Sequence, residues 1–369
     1  MKVKTAYSKK DTIKDSIEDI KQQIGDFDTR LLLFFASPSL DPEKISAEMQ
    51  NGFTGVPTMG CSSSGEIVTG KMLDQSVVAM AFGAEIIEDC KIEVVNNLNS
   101  DNNQIDTAFD SFGKYFGTST HDLSPDHYLG MVLIDGLSLQ EEAVNDRIGD
   151  LTNVTFVGGS AGDDLAFKKT YVYANGATYT DAAVLVLITS NSKFDFLKTQ
   201  SFQATDKDVV VTKADESKRK VYEINNKPAT QAYAELVGVP EEKVADSFFS
   251  YPVGLVFQDD FFVRSPQRTD GEGIYFYCSI KEDMKLKLLN SGNILEYTRD
   301  SLNQKKNEMG EISAIVNFNC ILRTLELKDK NQTEGYGDIF KSVPTVGFST
   351  YGESYIGHIN QTSTMVLFQ

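Results

Sequence analysis

The chain has 369 residues, 41% apolar and 24% charged, with 53 acids against 35 bases for a net charge of −18. That balance argues against a nucleic-acid partner, which needs basic patches to displace counterions, and against anionic membrane surfaces. The length suggests two domains with ample core. Four cysteines (Cys61, Cys90, Cys278, Cys320) are spread without a CxxC pair, as in the reduced thiols of a cytoplasmic protein. The N-terminal segment lacks the apolar stretch of a signal peptide. The longest apolar run, Ala182 to Ile188, falls far short of the ~20 residues of a membrane span.

In chain order, Ile13, Ile17, Ile20 and Ile24 predict an amphipathic helix capped by Asp11. Leu31 to Ala36 is apolar throughout, the pattern of a strand covered on both faces. Asp41-Pro42-Glu43 starts a helix that ends near Asn51-Gly52, and Val77 to Phe82 is another apolar strand. Residues 91–130 read as an excursion holding a helix on Ile105, Phe109, Phe112 and Phe116. The scheme then restarts with a strand at Met131 to Ile134 and a capping box at Ser138 to Glu141 opening a helix. A closing strand follows at Ala182 to Ile188. The charge-dense stretch Lys213 to Lys220 is a boundary candidate, with an exposed hairpin end as its plainer reading. Beyond it come a helix opened by Pro228, hairpin strands within Phe248 to Phe262, a strand at Ile274 to Ile280 and a helix over Ile294 to Lys306. The scheme returns once more with strands at Ile312 to Phe318 and Thr364 to Phe368.

A short motif recurs at the junctions. Val56-Pro57-Thr58-Met59-Gly60-Cys61-Ser62-Ser63-Ser64-Gly65-Glu66 returns as Val343-Pro344-Thr345-Val346-Gly347-Phe348-Ser349-Thr350-Tyr351-Gly352-Glu353, with seven of eleven positions identical. A looser copy runs from Val154 through Gly158-Gly159-Ser160-Ala161-Gly162 to Asp163. Each reads as a strand ending in a tight loop that offers hydroxyls, N–H groups and one acid. The expected fold is mixed α/β (α+β): repeated strand–helix–strand–loop–strand units forming mixed sheets covered by helices, in two domains. Repeats of this kind place equivalent loops at equivalent strand ends, a suitable setting for a small polar ligand.

Other motifs carry less. Gly158 to Gly162 matches GxSxG, but no helix clearly follows and the other two copies break the spacing, so the match reads as a by-product of the turn. Gly65 to Lys71 approaches a P-loop but has Met72 where a Mg²⁺ hydroxyl is needed. His121 and His127 lack the partners of a zinc site, so no metal or other cofactor is expected. Arg264 and Arg323 stand beside apolar runs in an acidic chain, where either pairs with an acid or offers a fork to a ligand carboxylate.

Taken together, these residues resemble the FIST sensory family. The likeness rests on Phe35-Ala36-Ser37-Pro38-Ser39, on Gly60 to Glu66 and on Gly158 to Asp163. It continues through Val221-Tyr222-Glu223-Ile224-Asn225-Asn226-Lys227-Pro228-Ala229 with Tyr233, Arg264, Cys320 with Arg323, Gly347 to Glu353 and Asn360-Gln361-Thr362. Where the family tends to a small Gly-containing turn after the cysteine, Ile321 and Leu322 stand here. The resemblance implies an N-terminal extension over 1–30, an N-terminal FIST domain over 31–215 and a C-terminal FIST domain over 216–369. It further implies a cytoplasmic, non-enzymatic sensory module for an amino-acid-like ligand or small organic acid. Such a module would act on a separate output protein: a histidine kinase, a chemoreceptor or a cyclic-nucleotide enzyme. The expected ligand-binding residues are Ser62, Ser63, Gly65, Glu66, Gly159, Ser160, Asp163, Arg264, Cys320, Arg323, Ser349, Thr350, Tyr351, Glu353 and Asn360, with no catalytic residue. An enzyme using Ser160 or Cys61 and a protein-interaction scaffold are the alternatives.

Overall fold

The computed structural model describes residues 2–100, 104–257 and 260–369. The chain divides into two compact units. The first comprises Met1–Thr199, Thr298–His358 and Ser363–Gln369; the second comprises Gln200–Tyr297 and Ile359–Thr362. The division does not follow the boundary expected near residue 215. Lys213 to Lys220 instead forms the end of a hairpin within the second unit, where Ala214 pairs with Val221 and Asp215 with Lys220.

The first unit consists of three repeats of one topology. The first repeat runs through an edge strand Val3–Ser8, a helix Ile13–Ile24, a strand Leu31–Ala36 and a helix Pro42–Gly52. It continues with a strand Thr58–Ser62, a small hairpin of Glu66–Val68 and Lys71–Leu73, and a return strand Val77–Phe82. The second repeat has the same order: Ile87–Asn96, helix Ile105–Phe116, Tyr128–Ile134, helix Glu141–Leu151, Phe156–Ser160, the hairpin Val172–Ala174 with Ala177–Tyr179, and Ala182–Ser190. The third begins with Phe194–Thr199 and resumes with helix Ile294–Met309, whose first turn is counted with the second unit, and strand Ala314–Cys320. Helices Ile321–Asp329 and Thr333–Ile339, strand Thr345–Thr350, the hairpin Glu353–Tyr355 with His358–Ile359, and strand Ser363–Phe368 complete it.

Within each repeat the two central strands are parallel and the return strand is antiparallel to the first of them. Each of the three six-stranded sheets has the order edge, return, first, second, and then a hairpin supplied by a different repeat. The first repeat's hairpin pairs with Thr345–Thr350 of the third sheet. The second repeat's hairpin pairs with Thr58–Ser62 of the first sheet. The third repeat's hairpin pairs with Phe156–Ser160 of the second. The exchange is cyclic, and no repeat completes its own sheet. One face of all three sheets meets in a common core around Phe35, Phe318 and Phe348, with ring centroids 4.4–6.5 Å apart.

Several sequence expectations change. The stretch 91–130 is no excursion: Ile87–Asn96 and Ile105–Phe116 occupy in the second repeat the places of Val3–Ser8 and Ile13–Ile24 in the first. The helix is as expected, whereas the mixed burial pattern of an edge strand hid Ile87–Asn96. Residues 1–30 likewise contain an edge strand as well as the helix. Thr12, not Asp11, caps that helix, its side chain accepting from Asp15 N at 3.1 Å. Helix Glu141–Leu151 has Gln140 at its N-cap, and Ser138 Oγ accepts from Gln140 N at 3.3 Å and donates to Asp135 O at 2.7 Å.

The second unit carries a twisted antiparallel sheet whose longest strand is Phe202–Asp215. Helix Ala229–Val237, ended by Gly238 in the left-handed region, packs Ala232 and Tyr233 with Val211, Ile224 and Phe248.

The motif glycine has a mechanical reason. Gly60, Gly158 and Gly347 pair with Phe34, Val132 and Asn317 on the parallel neighbour. A Cβ at these positions would lie 2.2, 1.7 and 2.0 Å from the facing carbonyl oxygens. Gly158→Ala should therefore destabilise the protein by about 1–3 kcal/mol, the range of overpacking. Its midpoint of unfolding in denaturant checks this; an unchanged midpoint refutes the close-approach account.

Candidate functional site

The three motif loops interlock at the carboxyl ends of the parallel strands. Ser349 N donates to Gly65 O at 2.8 Å and Ser64 N to Ser349 O at 3.1 Å. Ser160 N donates to Gly352 O at 2.8 Å and Tyr351 N to Ser160 O at 3.1 Å. Ser62 N donates to Tyr171 O at 2.9 Å and Gly162 N to Ser62 O at 3.0 Å. The equivalent residues Ser62, Ser160 and Ser349 thus each give both backbone groups to another repeat. The loops meet, and the buried acids sit among them.

Glu66 is 1% exposed. Ser63 Oγ donates to Oε1, and Ser76 N and Oγ donate to Oε2 at 3.0 and 2.6 Å. Burial pushes its carboxyl up to about 7 against these three bonds, which favour the ionised form. Glu353 repeats the arrangement with Thr350 Oγ1 donating at 2.5 Å. The second loop uses Asp135 in a related role, where it accepts from Thr170 Oγ1 and from Leu137 N at 3.0 Å. Asp163, the acid expected there, organises the following segment instead. It accepts from Phe167, Lys168 and Lys169 N at 2.9, 2.6 and 3.0 Å and from Tyr351 Oη. Burial first, then the bond to Asp163, holds the Tyr351 phenol in its protonated form. Ser62 Oγ accepts from Tyr171 N at 3.0 Å, and Gly65 takes φ +120° beside Ser349 Oγ. Gly159 faces Thr350, where a Cβ would come within 2.5 Å of Cγ2.

Ser160 Oγ is buried without a hydrogen-bond partner, and no helix follows it in residues 161–170. It therefore lacks the strand–turn–helix corner of a nucleophile elbow. Cys61 is buried and burial pushes its thiol well up, away from the reactive thiolate.

The helix-facing side of the third sheet differs from its counterparts. In the first repeat that side carries Phe34, Ala36 and Val77, packed on Ile17, Ile45 and Met49. In the second it carries Val132, Ile134 and Ala183, packed on Phe109, Val144 and Ile148. The third places Asn317, Asn319 and Ser363 at the same register positions, all buried. Ser363 Oγ donates to Asn317 Oδ1 at 2.7 Å, and Tyr336 Oη donates to Asn319 Oδ1 at 3.0 Å. Asn319 Nδ2 reaches Thr324 Oγ1 at 3.0 Å, and Thr324 Oγ1 lies 2.7 Å from Ser349 Oγ.

Arg323, in the first turn of Ile321–Asp329, enters this layer with 2% of its surface exposed. Nε donates to Asn319 Oδ1 at 3.0 Å and Nη2 to Thr298 Oγ1 at 2.9 Å, while Nη1 is buried with no acceptor. No acid pairs with it among the described residues. Cys320, one residue before the helix, is buried at its N-cap position.

Arg264 and Asn360 belong to the second unit. Arg264 Nη1 donates to Val263 O at 3.3 Å and Nε is buried without a partner. Asn360 Oδ1 is buried without a partner, and the adjacent Gln361 accepts from Ser265 Oγ at 2.7 Å and donates to Phe249 O at 3.0 Å.

Sequence reasoning overlooked Asn317, Asn319, Thr298, Thr324, Tyr336 and Ser363. A signal was present: Asn317 and Asn319 alternate within Ala-Ile-Val-Asn-Phe-Asn-Cys, a strand buried at every position.

The two compact units and the recurring motif loops define a two-domain α/β protein. The chain belongs to the FIST family: the FIST N domain matches residues 30–227 and the FIST C domain residues 229–355. FIST domains are sensory domains of signal transduction. A relative, an uncharacterized protein of Methanocaldococcus jannaschii, is 26% identical over 274 residues, covering 70% of this chain and 50% of that protein. The chain therefore spans about half the length of that relative. No helix among the described residues is long and apolar enough to cross a membrane.

The Glu66 carboxyl makes stability depend on pH. Its folded value of about 7 stands above the ordinary 4.5, so the fold favours the protonated form. That contribution is whole below about pH 4.5 and is lost as pH rises through about 7. The loss is on the order of 3 kcal/mol by pH 8. Glu66→Gln should flatten the decline in melting temperature between pH 5 and 8 relative to wild type. Parallel slopes for the two proteins would show that Glu66 titrates in its ordinary range.

Proposed function

We propose that this chain is a cytoplasmic, non-enzymatic sensory module that binds a small polar ligand, an amino acid or a short organic acid. The observation that supports this most directly is the polar layer behind the third sheet. Two repeats show that this topology packs well with apolar side chains at those positions. Burying amides, hydroxyls and a guanidinium there costs stability that an apolar layer would not. Such a cost is intelligible where the groups meet a ligand. The layer lies at the carboxyl ends of parallel strands, the usual place for ligands in α/β sheets.

In this reading Ser349, Thr350 and Arg323 form the third repeat's part of the site, and Glu353 holds the loop through its bond from Thr350. The loops carrying Ser62, Ser63, Gly65, Glu66, Gly159, Ser160, Asp163 and Tyr351 hold its geometry. Arg264 and Asn360 are candidate recognition groups of the second unit by itself, and Cys320 stands at the start of the helix that carries Arg323. The signal passes to a separate output protein, such as a histidine kinase, a chemoreceptor or a cyclic-nucleotide enzyme. Catalysis is disfavoured by the burial of Ser160 and Cys61.

A thermal-shift screen of the purified protein against amino acids, short organic acids and nucleotides tests the reading. A ligand at about 100 times its Kd stabilises by roughly 2.7 kcal/mol, enough to raise the melting temperature by degrees. A selective rise with one amino acid or organic acid is expected. A flat screen on protein freed of bound small molecules would favour the interaction scaffold.

A further inference from the structure

Resting on that reading, we propose that Arg323 anchors the ligand through Nη1, and that the group it anchors is a single, singly charged carboxylate. The guanidinium offers three nitrogen corners. Two are committed, Nε to Asn319 and Nη2 to Thr298, so the paired edge that grips a carboxylate side-on is already occupied. The remaining corner, Nη1, is buried with its hydrogen bonds unmade. Exposed surface does not explain this, since Arg323 is 2% exposed. A charged donor left unsatisfied in the interior is among the costliest arrangements a fold can keep.

Charge selects the class of ligand. Arg323 brings one positive charge into a layer otherwise built of neutral groups: Asn317, Asn319, Thr298, Thr324, Ser349, Ser363 and the Tyr336 hydroxyl. One carboxylate cancels that charge. A phosphate near neutral pH carries on average about 1.5 to 2 negative charges and would leave the excess over one uncompensated in a buried site, within a chain already at −18. The ring of Tyr336, 6.0 Å from the guanidinium, also holds the Arg323 side chain against the layer.

The test uses the full chain, dialysed free of small molecules, with acetate, L-alanine, L-glutamate and inorganic phosphate as probes in thermal-shift titrations. At least one carboxylate probe should raise the wild-type melting temperature, and phosphate at equal concentration should not. Arg323→Met should abolish the carboxylate response. Without any probe it should melt no lower than wild type, because it removes an uncompensated buried charge. Arg323→Lys keeps the charge but not the planar guanidinium that Asn319 and Thr298 hold in place, and should weaken the responding carboxylate at least about tenfold. A carboxylate response that survives in Arg323→Met places the ligand elsewhere; the sensory reading then stands and the anchor falls. A phosphate response lost in Arg323→Met overturns the choice of anion. Should Arg323→Met fail to fold, undiminished carboxylate affinity in Arg323→Lys overturns the anchor. A flat wild-type response to all four probes and to the wider polar screen removes the sensory reading, and the anchor with it.

Discussion

The first unit depends on one constraint: the second strand of each parallel pair ends at a sheet edge that its own repeat cannot cover. An uncovered edge leaves N–H and C=O groups without partners and invites pairing with other chains. Here a hairpin from another repeat covers each edge, and the serines at the strand ends close the circuit through reciprocal backbone bonds. The motif's composition follows from that duty. Its glycine sits where a neighbouring carbonyl leaves no room for Cβ, and its small hydroxyl residues fit where three loops cross. The acids then serve the N–H and O–H groups that the crossing strands in the interior.

Much of this is legible in the sequence. The recurrence of Val-Pro-Thr, Gly and Gly-Glu marks the repeats, and the apolar runs mark strands covered on both faces, as Leu31–Ala36 is. The edge strands were harder to find. Val3–Ser8 and Ile87–Asn96 bury only alternate or scattered positions, so neither shows a clean apolar run. The cyclic exchange of hairpins is invisible to local pattern, because each hairpin strand is only two or three residues long and its partner lies in another repeat. Asp163 shows a related limit. The motif position marked it as a ligand acid, yet its oxygens are taken by three backbone N–H groups of the following turn.

The polar layer of the third repeat shows how a repeated fold acquires a specific task. Two copies keep the apolar packing that the topology favours, while the third replaces it position by position with groups that hold one another in place. Stability shared across three sheets lets one of them carry the cost. The substitution is coherent, since Asn317, Asn319 and Ser363 all occur on the same face and in register.

The cyclic exchange also sets a timetable for biosynthesis. The hairpin Glu66–Val68 and Lys71–Leu73 has its sheet partner at Val346 to Phe348, some 280 residues later. At a ribosomal pace of about 5–20 residues per second, that separation amounts to tens of seconds. Through that interval the first repeat stands with a strand edge and an apolar sheet face waiting for the third repeat. Loss of the strand Thr345–Thr350 would therefore injure the first repeat as surely as the third.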